Sequence, residues 1–99
     1  MAIVEVTIIP MGMGTSVSQY VANCHKVLEN ETAVKHMLSP MGTILEGDLD
    51  DIFQTVRKLH EVPFESGVMR VNTTIRIDDR RDKSASMEQK LHSVQSKLK

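Results

Sequence analysis

The segment Pro10–Ser16 (PMGMGTS) contains the residues whose types and spacing best fit a chemical task. Two glycines one residue apart, followed by hydroxyl residues at a helix start, are typical of loops that hold phosphate through backbone amides. The segment lacks the Lys-Ser/Thr pair of a nucleotide P-loop and the third glycine of a dinucleotide fingerprint. It also contains no lysine or arginine. Its glycines are equally explained by a tight turn from strand to helix, so the phosphate interpretation is weak.

Other groups that could do chemistry are scattered along the sequence. Cys24 and His25 are neighbours on a predicted helix and therefore point in different directions, and Cys24 falls on the apolar stripe, where a structural role is expected. The histidines share no metal-ligand spacing, so no metal site is expected; they are His25, His36, His60 and His92. Without a base–nucleophile pair, no catalytic residue is predicted and an enzyme is not favoured.

Glu46 is the carboxylate that stands out, since Glu46-Gly47 ends a predicted strand near the interior. It is expected either to contact a ligand or to be a satisfied residue at the sheet edge. Ser16 is expected to cap the following helix, which leaves Ser18 and Thr43 as freer hydrogen-bond donors.

Composition limits the classes of protein to which the chain can belong. Its 99 residues are enough for one domain, and the net charge of −1 with interspersed signs argues against a general nucleic-acid or acidic-membrane binder. No stretch approaches the ~20 apolar residues of a membrane helix, and no signal-peptide pattern opens the sequence. The single cysteine cannot form an internal disulfide, which favours a reducing, cytoplasmic setting.

The elements that would position these residues follow a regular order. A β-branched run predicts a first strand over 3–9, and a capping box of Ser16 with Gln19 opens a helix that stops near Asn30. Asp48 is expected to cap a second helix that Pro63 ends. The remaining strands are predicted over 33–38, 43–46 and 68–77. The order β-α-β-β-α-β predicts a ferredoxin-like α+β domain over residues 1–82, with a four-stranded antiparallel sheet and both helices on one face.

Residues 83–99 are predicted to form a C-terminal helical extension. Ser86 and Gln89 repeat the capping-box pattern, and a narrow apolar seam follows, made of Met87, Leu91, Val94 and Leu98. A seam of this width is typical of a coiled-coil contact, so we expect either a contact with another subunit or a helix resting on its own domain.

The predicted topology brings both Pro-Met-Gly loops to one edge of the sheet. Thr43 is expected beside Pro10–Gly12, with the start of the last strand at the same edge. Strand alternation places a mixed polar and apolar set on the helix-free face: Ile3, Glu5, Thr7, Ile9, Arg70, Asn72 and Arg76. That face is either solvated or covered by a second subunit, and coverage is favoured.

Three segments together resemble the YkoF-like family of small thiamine-binding proteins: PMGMGTSVSQYV, SPMGTILEGDLDDI and VMRVNTTIRIDDRRDK. The resemblance covers nearly the whole chain. It implies cytoplasmic binding of thiamine or its hydroxymethylpyrimidine precursor, no catalysis, no cofactor, and homo-oligomers that are commonly tetramers. Carried onto matching positions, it implies ligand contacts at Gly12, Ser16, Ser18, Thr43, Glu46, Arg70, Asn72 and Thr73.

The residues are compatible with such a ligand and leave two alternatives open. An aminopyrimidine needs a few hydrogen-bonding groups and an apolar wall, which Ser18, Thr43 and Glu46 could supply together with Met11 and Met41. The scarcity of aromatic residues counts mildly against it. The alternatives are an oligomeric interaction protein, or an enzyme or anion-binding regulatory protein that uses the glycine loop.

Overall fold

The computed structural model describes residues 1–12, 14, 18–82 and 86–98. The elements are β1 (Ala2–Pro10), α1 (Ser18–Glu29), β2 (Lys35–Ser39), β3 (Gly42–Gly47), α2 (Leu49–Glu65), β4 (Val71–Asp79) and α3 (Met87–Lys97). The four strands form one sheet in the order β2-β3-β1-β4, and every neighbouring pair is antiparallel. The predicted ferredoxin-like α+β architecture is therefore confirmed.

The core lies between one face of the sheet and helices α1 and α2. Alternate residues of β1 are buried because successive side chains of a strand point to opposite faces. They form one cluster with residues of both helices, of β3 and of the segment before β2: Ala2, Val4, Val6, Cys24, Leu28, Val34, Leu45, Ile52, Val56, Leu59 and Val62. Fully burying a side chain such as Leu28 or Leu45 contributes about 1.5–3 kcal/mol, so this single face supplies most of the stability.

Helix α2 continues past Pro63, so the prediction that Pro63 ends it is wrong. The proline lies in the last turn, where its missing N–H leaves the carbonyl of Leu59 without a partner in the helix. The thiol of Cys24 on α1 lies 3.8 Å from that carbonyl oxygen and donates a weak hydrogen bond to it. The helix ends instead at Glu65, where Gly67 with φ of 93° turns the chain away.

The strand boundaries also differ from the sequence-based prediction. β2 begins at Lys35 rather than Ala33, and β4 begins at Val71 rather than Val68. The amide of Val68 donates to the carbonyl of Pro63 at 3.2 Å, so Val68 belongs to the closure of α2. It is buried there, which explains why its apolar character suggested a strand.

The sequence predicts three helix N-caps, and the described residues include two of them. Ser86 and Gln89 form the complete capping box of α3, with both reciprocal bonds at 3.1 Å. Asp48 occupies the N-cap position of α2, but its side chain makes no capping hydrogen bond. The predicted cap at Ser16 lies outside the described residues.

The register of the sheet places the β2–β3 hairpin well short of the end of β1. Thr43 pairs with Val6, whereas β1 continues to Pro10, which pairs with Val71 of β4. The expectation that Thr43 lies beside Pro10–Gly12 is therefore wrong by about four residues. In this register the hydroxyl of Thr7 donates to the carbonyl of Met41 in the hairpin turn at 3.3 Å.

The face of the sheet away from α1 and α2 is mixed, as predicted. Glu5 and Arg76 pair across β1 and β4 with 3.6 Å between the carboxylate and the guanidinium. Asn72 lies on the same face, since it pairs with Ile9. Arg70 immediately precedes β4, so it does not belong to the strand.

Helix α3 is attached mainly by its first turn. Met87 is buried, and Lys90 forms an ion pair with Asp78 at the end of β4. The rest of the predicted seam is exposed, namely Leu91, Val94 and Leu98. Within the part of the chain that the structure describes, no helix is long and apolar enough to cross a bilayer.

Gly42 fits the hairpin against β1 without room for a side chain. A Cβ at this position would lie 3.0 Å from both the carbonyl oxygen of Val6 and the hydroxyl of Thr7. We therefore expect Gly42→Ala to lower the free energy of unfolding by about 1–3 kcal/mol, in the range of other overpacking substitutions.

Urea denaturation of Gly42→Ala measures this loss, with Met41→Ala as the matched control in the same turn. Met41 is 79% exposed, so its truncation should change stability little. Equal stability of Gly42→Ala and the unsubstituted protein would contradict the close packing of the hairpin on β1.

Candidate functional site

The best-formed cavity among the described residues has a volume of about 240 Å³ and lies between α1 and the β2–β3 hairpin. It is lined by Val6, Thr7, Ile8, Ile9, Tyr20, Val21, Cys24, Leu38, Pro40, Met41, Gly42, Thr43 and Leu59. Residues from both faces of β1 contribute to its wall. The cavity therefore opens at the edge of β1 that β3 leaves unpaired.

The cavity follows directly from the stagger of the strands. β1 pairs with β4 over nine positions but with β3 over only five, so its last residues have no strand on the hairpin side. Helix α1 and the second Pro-Met-Gly segment, Pro40–Gly42, border the space that a longer β3 would fill. Among the described residues, the first Pro-Met-Gly segment contributes nothing to the lining.

The lining is apolar with a few hydroxyl groups. Tyr20, Thr7 and Thr43 carry the hydroxyls, and that of Thr7 is already engaged with the carbonyl of Met41. No Asp, Glu, Lys, Arg or His belongs to the described lining. The cavity therefore suits an uncharged ring that forms one or two hydrogen bonds.

Cys24 is part of the cavity wall but is not activated as a nucleophile. Burial raises the pKa of its thiol to about 11, because desolvation disfavours the thiolate. The thiolate is the reactive form of cysteine, so this residue acts as a small apolar wall element and a weak donor to Leu59. This agrees with the structural role expected from its place on the apolar stripe.

The residues predicted to bind a ligand do not come together in one place. Thr43 lines the cavity. Ser18 is the exposed first residue of α1, and Gly12 is exposed with φ of 82° and open space around it. Neither belongs to the lining, and Ser16 lies outside the described residues.

A second group of predicted residues lies on the other side of β1. The carbonyl of Arg70 accepts from the amide of Met11 at 2.8 Å, and Asn72 is exposed on the helix-free face. Thr73 points toward α2, where its hydroxyl is 2.6 Å from Nδ1 of His60. These residues are thus separated from the cavity by the width of a strand.

Glu46 lies on the helix-free face, since it pairs with Ile3 of β1 and Lys35 of β2. It is only 4% exposed, and its Oε2 has no hydrogen-bond partner among the described residues. Thr43 and Glu46 are three positions apart on one strand, which puts them on opposite faces and about 10 Å apart. The structure does not place Glu46 in the cavity that Thr43 lines.

Several lining residues were not identified from the sequence as site residues. In the sequence, Tyr20, Val21 and Leu59 are ordinary members of apolar helix stripes, and Leu38 belongs to a predicted strand. The signal that the sequence offers is a pair of apolar residues, Leu38 and Met41, beside the turn at Pro40. The structure shows that both side chains are exposed at the cavity. Among the described residues, no group of three or more His, Cys, Asp or Glu could hold a metal ion.

Comparison with known proteins identifies the family of this chain. The sequence profile of the thiamine-binding protein family matches residues 4–95. The chain belongs to this family. The resemblance noted in its three sequence segments is thereby confirmed.

Two relatives of this family member match along almost their whole length. The UPF0045 protein YqgV of Bacillus subtilis is 51% identical over 102 residues, covering 99% of this chain and 98% of the relative. The crystal structure of MJ1052 from Methanocaldococcus jannaschii is 38% identical, with a TM-score of 0.85 and 95% coverage of both chains.

A more distant structure shares the fold alone. It is a Thermotoga maritima protein for which a role in thiamine biosynthesis or salvage has been suggested. Its TM-score is 0.75 at 17% identity, with 94% of this chain and 97% of that chain covered.

The raised pKa of Cys24 predicts slow chemical labelling of the native thiol. At pH 8 its reaction with a thiol reagent should be on the order of a hundredfold or more slower than that of a free cysteine of pKa about 8.5. The rate should rise with pH until the thiol titrates near pH 11. Protein unfolded in urea is the control and should label rapidly. Native protein that labels as fast as the unfolded control would contradict a buried, protonated thiol.

Proposed function

We propose that this protein binds thiamine or its hydroxymethylpyrimidine precursor, with the aminopyrimidine ring in the cavity between α1 and the β2–β3 hairpin. The observation that carries the proposal is an apolar cavity with a threonine hydroxyl at its wall, in a member of the thiamine-binding protein family. The suggested thiamine-related role of the Thermotoga protein with the same fold supports it.

The size of the cavity favours one ring over the whole vitamin. Pockets for drug-sized ligands usually enclose roughly 300–1,000 Å³. The 240 Å³ found here is smaller, which is adequate for a substituted pyrimidine. The thiazolium ring of thiamine would then remain at the mouth, near the exposed side chains of Leu38 and Met41.

The absence of charged residues from the described lining also favours the pyrimidine ring inside the cavity and the thiazolium ring outside it. A cation or a phosphate inside a low-dielectric cavity needs an opposite charge, and the described lining has none. The aminopyrimidine is uncharged near neutral pH and needs only a few hydrogen bonds. Anion binding at the glycine loop is the weaker alternative, since Arg70 lies across β1 from the cavity.

We propose further that the protein binds its ligand without transforming it and acts in the cytoplasm. The ionisable members of the described lining are Tyr20 and Cys24, and the thiol is held protonated by burial. A free, buried cysteine fits a reducing compartment.

Two substitutions on β3 test whether the ligand binds in the cavity or on the helix-free face of the sheet. Thr43→Val removes a hydroxyl from the cavity at nearly constant volume, and we expect it to weaken thiamine and hydroxymethylpyrimidine roughly two- to tenfold, the value of a neutral hydrogen bond. Glu46→Gln should leave both affinities within twofold, because its side chain lies on the other face. Isothermal titration calorimetry measures both.

The reverse pattern would move the site to the helix-free face. If Glu46→Gln weakens binding tenfold or more while Thr43→Val does not, Glu46 contacts the ligand as the family resemblance implies. If inorganic phosphate binds and neither thiamine nor the pyrimidine does, the protein is an anion-binding regulator.

We also propose that the protein is a homo-oligomer, most simply a tetramer. β4 is an edge strand, and Ile75 and Ile77 on it are 38% and 42% exposed although their cross-strand partners Val6 and Val4 are buried. The seam of α3 is a second exposed apolar surface, centred on Leu91 and Val94. Two different surfaces that each pair with their own copy about a two-fold axis generate a tetramer.

The oligomer is tested by placing hydroxyls in the α3 seam. Leu91→Ser combined with Val94→Ser should convert tetramers to dimers if α3 pairs with another subunit, as measured by sedimentation velocity at micromolar concentration. Gln95→Ser on the same helix is the matched control and should not change the mass. A monomeric unsubstituted protein would exclude the proposal, and an unchanged mass of the double variant would assign α3 to its own domain.

A further inference from the structure

Two histidines that are 11 positions apart in the sequence meet between α1 and β2. The ring centroids of His25 and His36 are 5.6 Å apart, with an angle of 68° between the ring planes. His36 pairs with the buried Leu45, so its side chain lies on the helix side of the sheet and reaches α1. Neither ring lines the cavity assigned to the ligand.

The Nε2 atom of His25 is buried and has no hydrogen-bond partner among the described residues. Buried polar atoms without a partner are uncommon, since each forfeits its hydrogen bonds to water. An imidazole nitrogen in this condition has an unused lone pair or N–H. Coordination of a cation is one of the few interactions that would satisfy it.

The separation of the two rings is close to that of two imidazoles that share a metal ion. Two imidazoles bound to one tetrahedral ion at 2.0–2.1 Å have centroids about 5 Å apart. The observed separation is 5.6 Å, and the exposed His36 side chain has room to turn its ring toward the ion.

The protonation state of His25 also suits coordination. Burial lowers the pKa of its imidazole, and the neighbouring His36 lowers it further. Glu29, one turn along α1, opposes this shift. The net effect keeps His25 neutral near pH 7, and the neutral ring is the form that binds metals.

We propose that His25 and His36 form a two-histidine site for a borderline divalent cation of the Zn²⁺, Ni²⁺ or Cu²⁺ type. Imidazole is a preferred ligand of these ions, whereas Mg²⁺ and Ca²⁺ prefer oxygen. The described part of the chain supplies no third protein ligand, so water would complete the coordination from the solvent side, where His36 is exposed. The ion would link α1 to β2 and stabilise the folded chain.

The experiment is a titration of ZnCl₂ into untagged, metal-free protein followed by calorimetry. We expect His36→Gln and His25→Gln each to weaken Zn²⁺ at least tenfold, since either change leaves a single imidazole. His92→Gln, in the exposed part of α3, is the matched control and should leave the affinity unchanged. MgCl₂ should produce no comparable binding.

Thermal unfolding gives an independent readout. Zn²⁺ in excess over its dissociation constant should raise the midpoint of the unsubstituted protein and of His92→Gln but not of His36→Gln. His36 is exposed, so its variant should fold even if His25→Gln does not. Equal Zn²⁺ affinity of His36→Gln and the unsubstituted protein, or equal loss in His92→Gln, would overturn the proposal.

Discussion

The stagger between β1 and the β2–β3 hairpin is the constraint on which the rest of the structure depends. Five paired positions join β3 to β1, Thr7 adds a hydrogen bond to Met41 in the turn, and Gly42 allows the backbones to approach closely. The end of β1 is therefore left without a strand on one side. Unpaired strand edges must be covered or remain available to a ligand. Here α1 and the hairpin turn enclose the edge only partly, and the remaining space is the candidate site.

Local signals in the sequence predicted the fold well because they depend on neighbouring residues. Alternation of apolar residues identified β1, and the Ser86–Gln89 capping box identified the start of α3. Register depends instead on contacts between distant segments, and it could not be read from the pattern of either strand. The continuation of α2 past Pro63 was also missed: the proline removes one hydrogen bond in the last turn, and the carbonyl that loses it is contacted by a thiol on another helix.

The candidate site was predicted only in part, and the reasons differ between residues. Thr43 lines the cavity beside a Pro-Met-Gly turn, but this is the second such turn and not the first, next to which Thr43 was expected. That Thr43 and Glu46 face opposite ways follows from their odd spacing on one strand, so this information was present in the sequence. The contact between His25 and His36 could not be predicted from the sequence, because it depends on how α1 packs against β2.

The bond between Cys24 and the carbonyl that Pro63 frees has an evolutionary consequence. A donor at position 24 has value only while position 63 lacks an N–H, because any other residue there would return the carbonyl of Leu59 to the helix. The effects of substitutions at these two positions are therefore not additive. Homologues that lose the proline are released from selection for a thiol or hydroxyl on α1, and the two positions should covary.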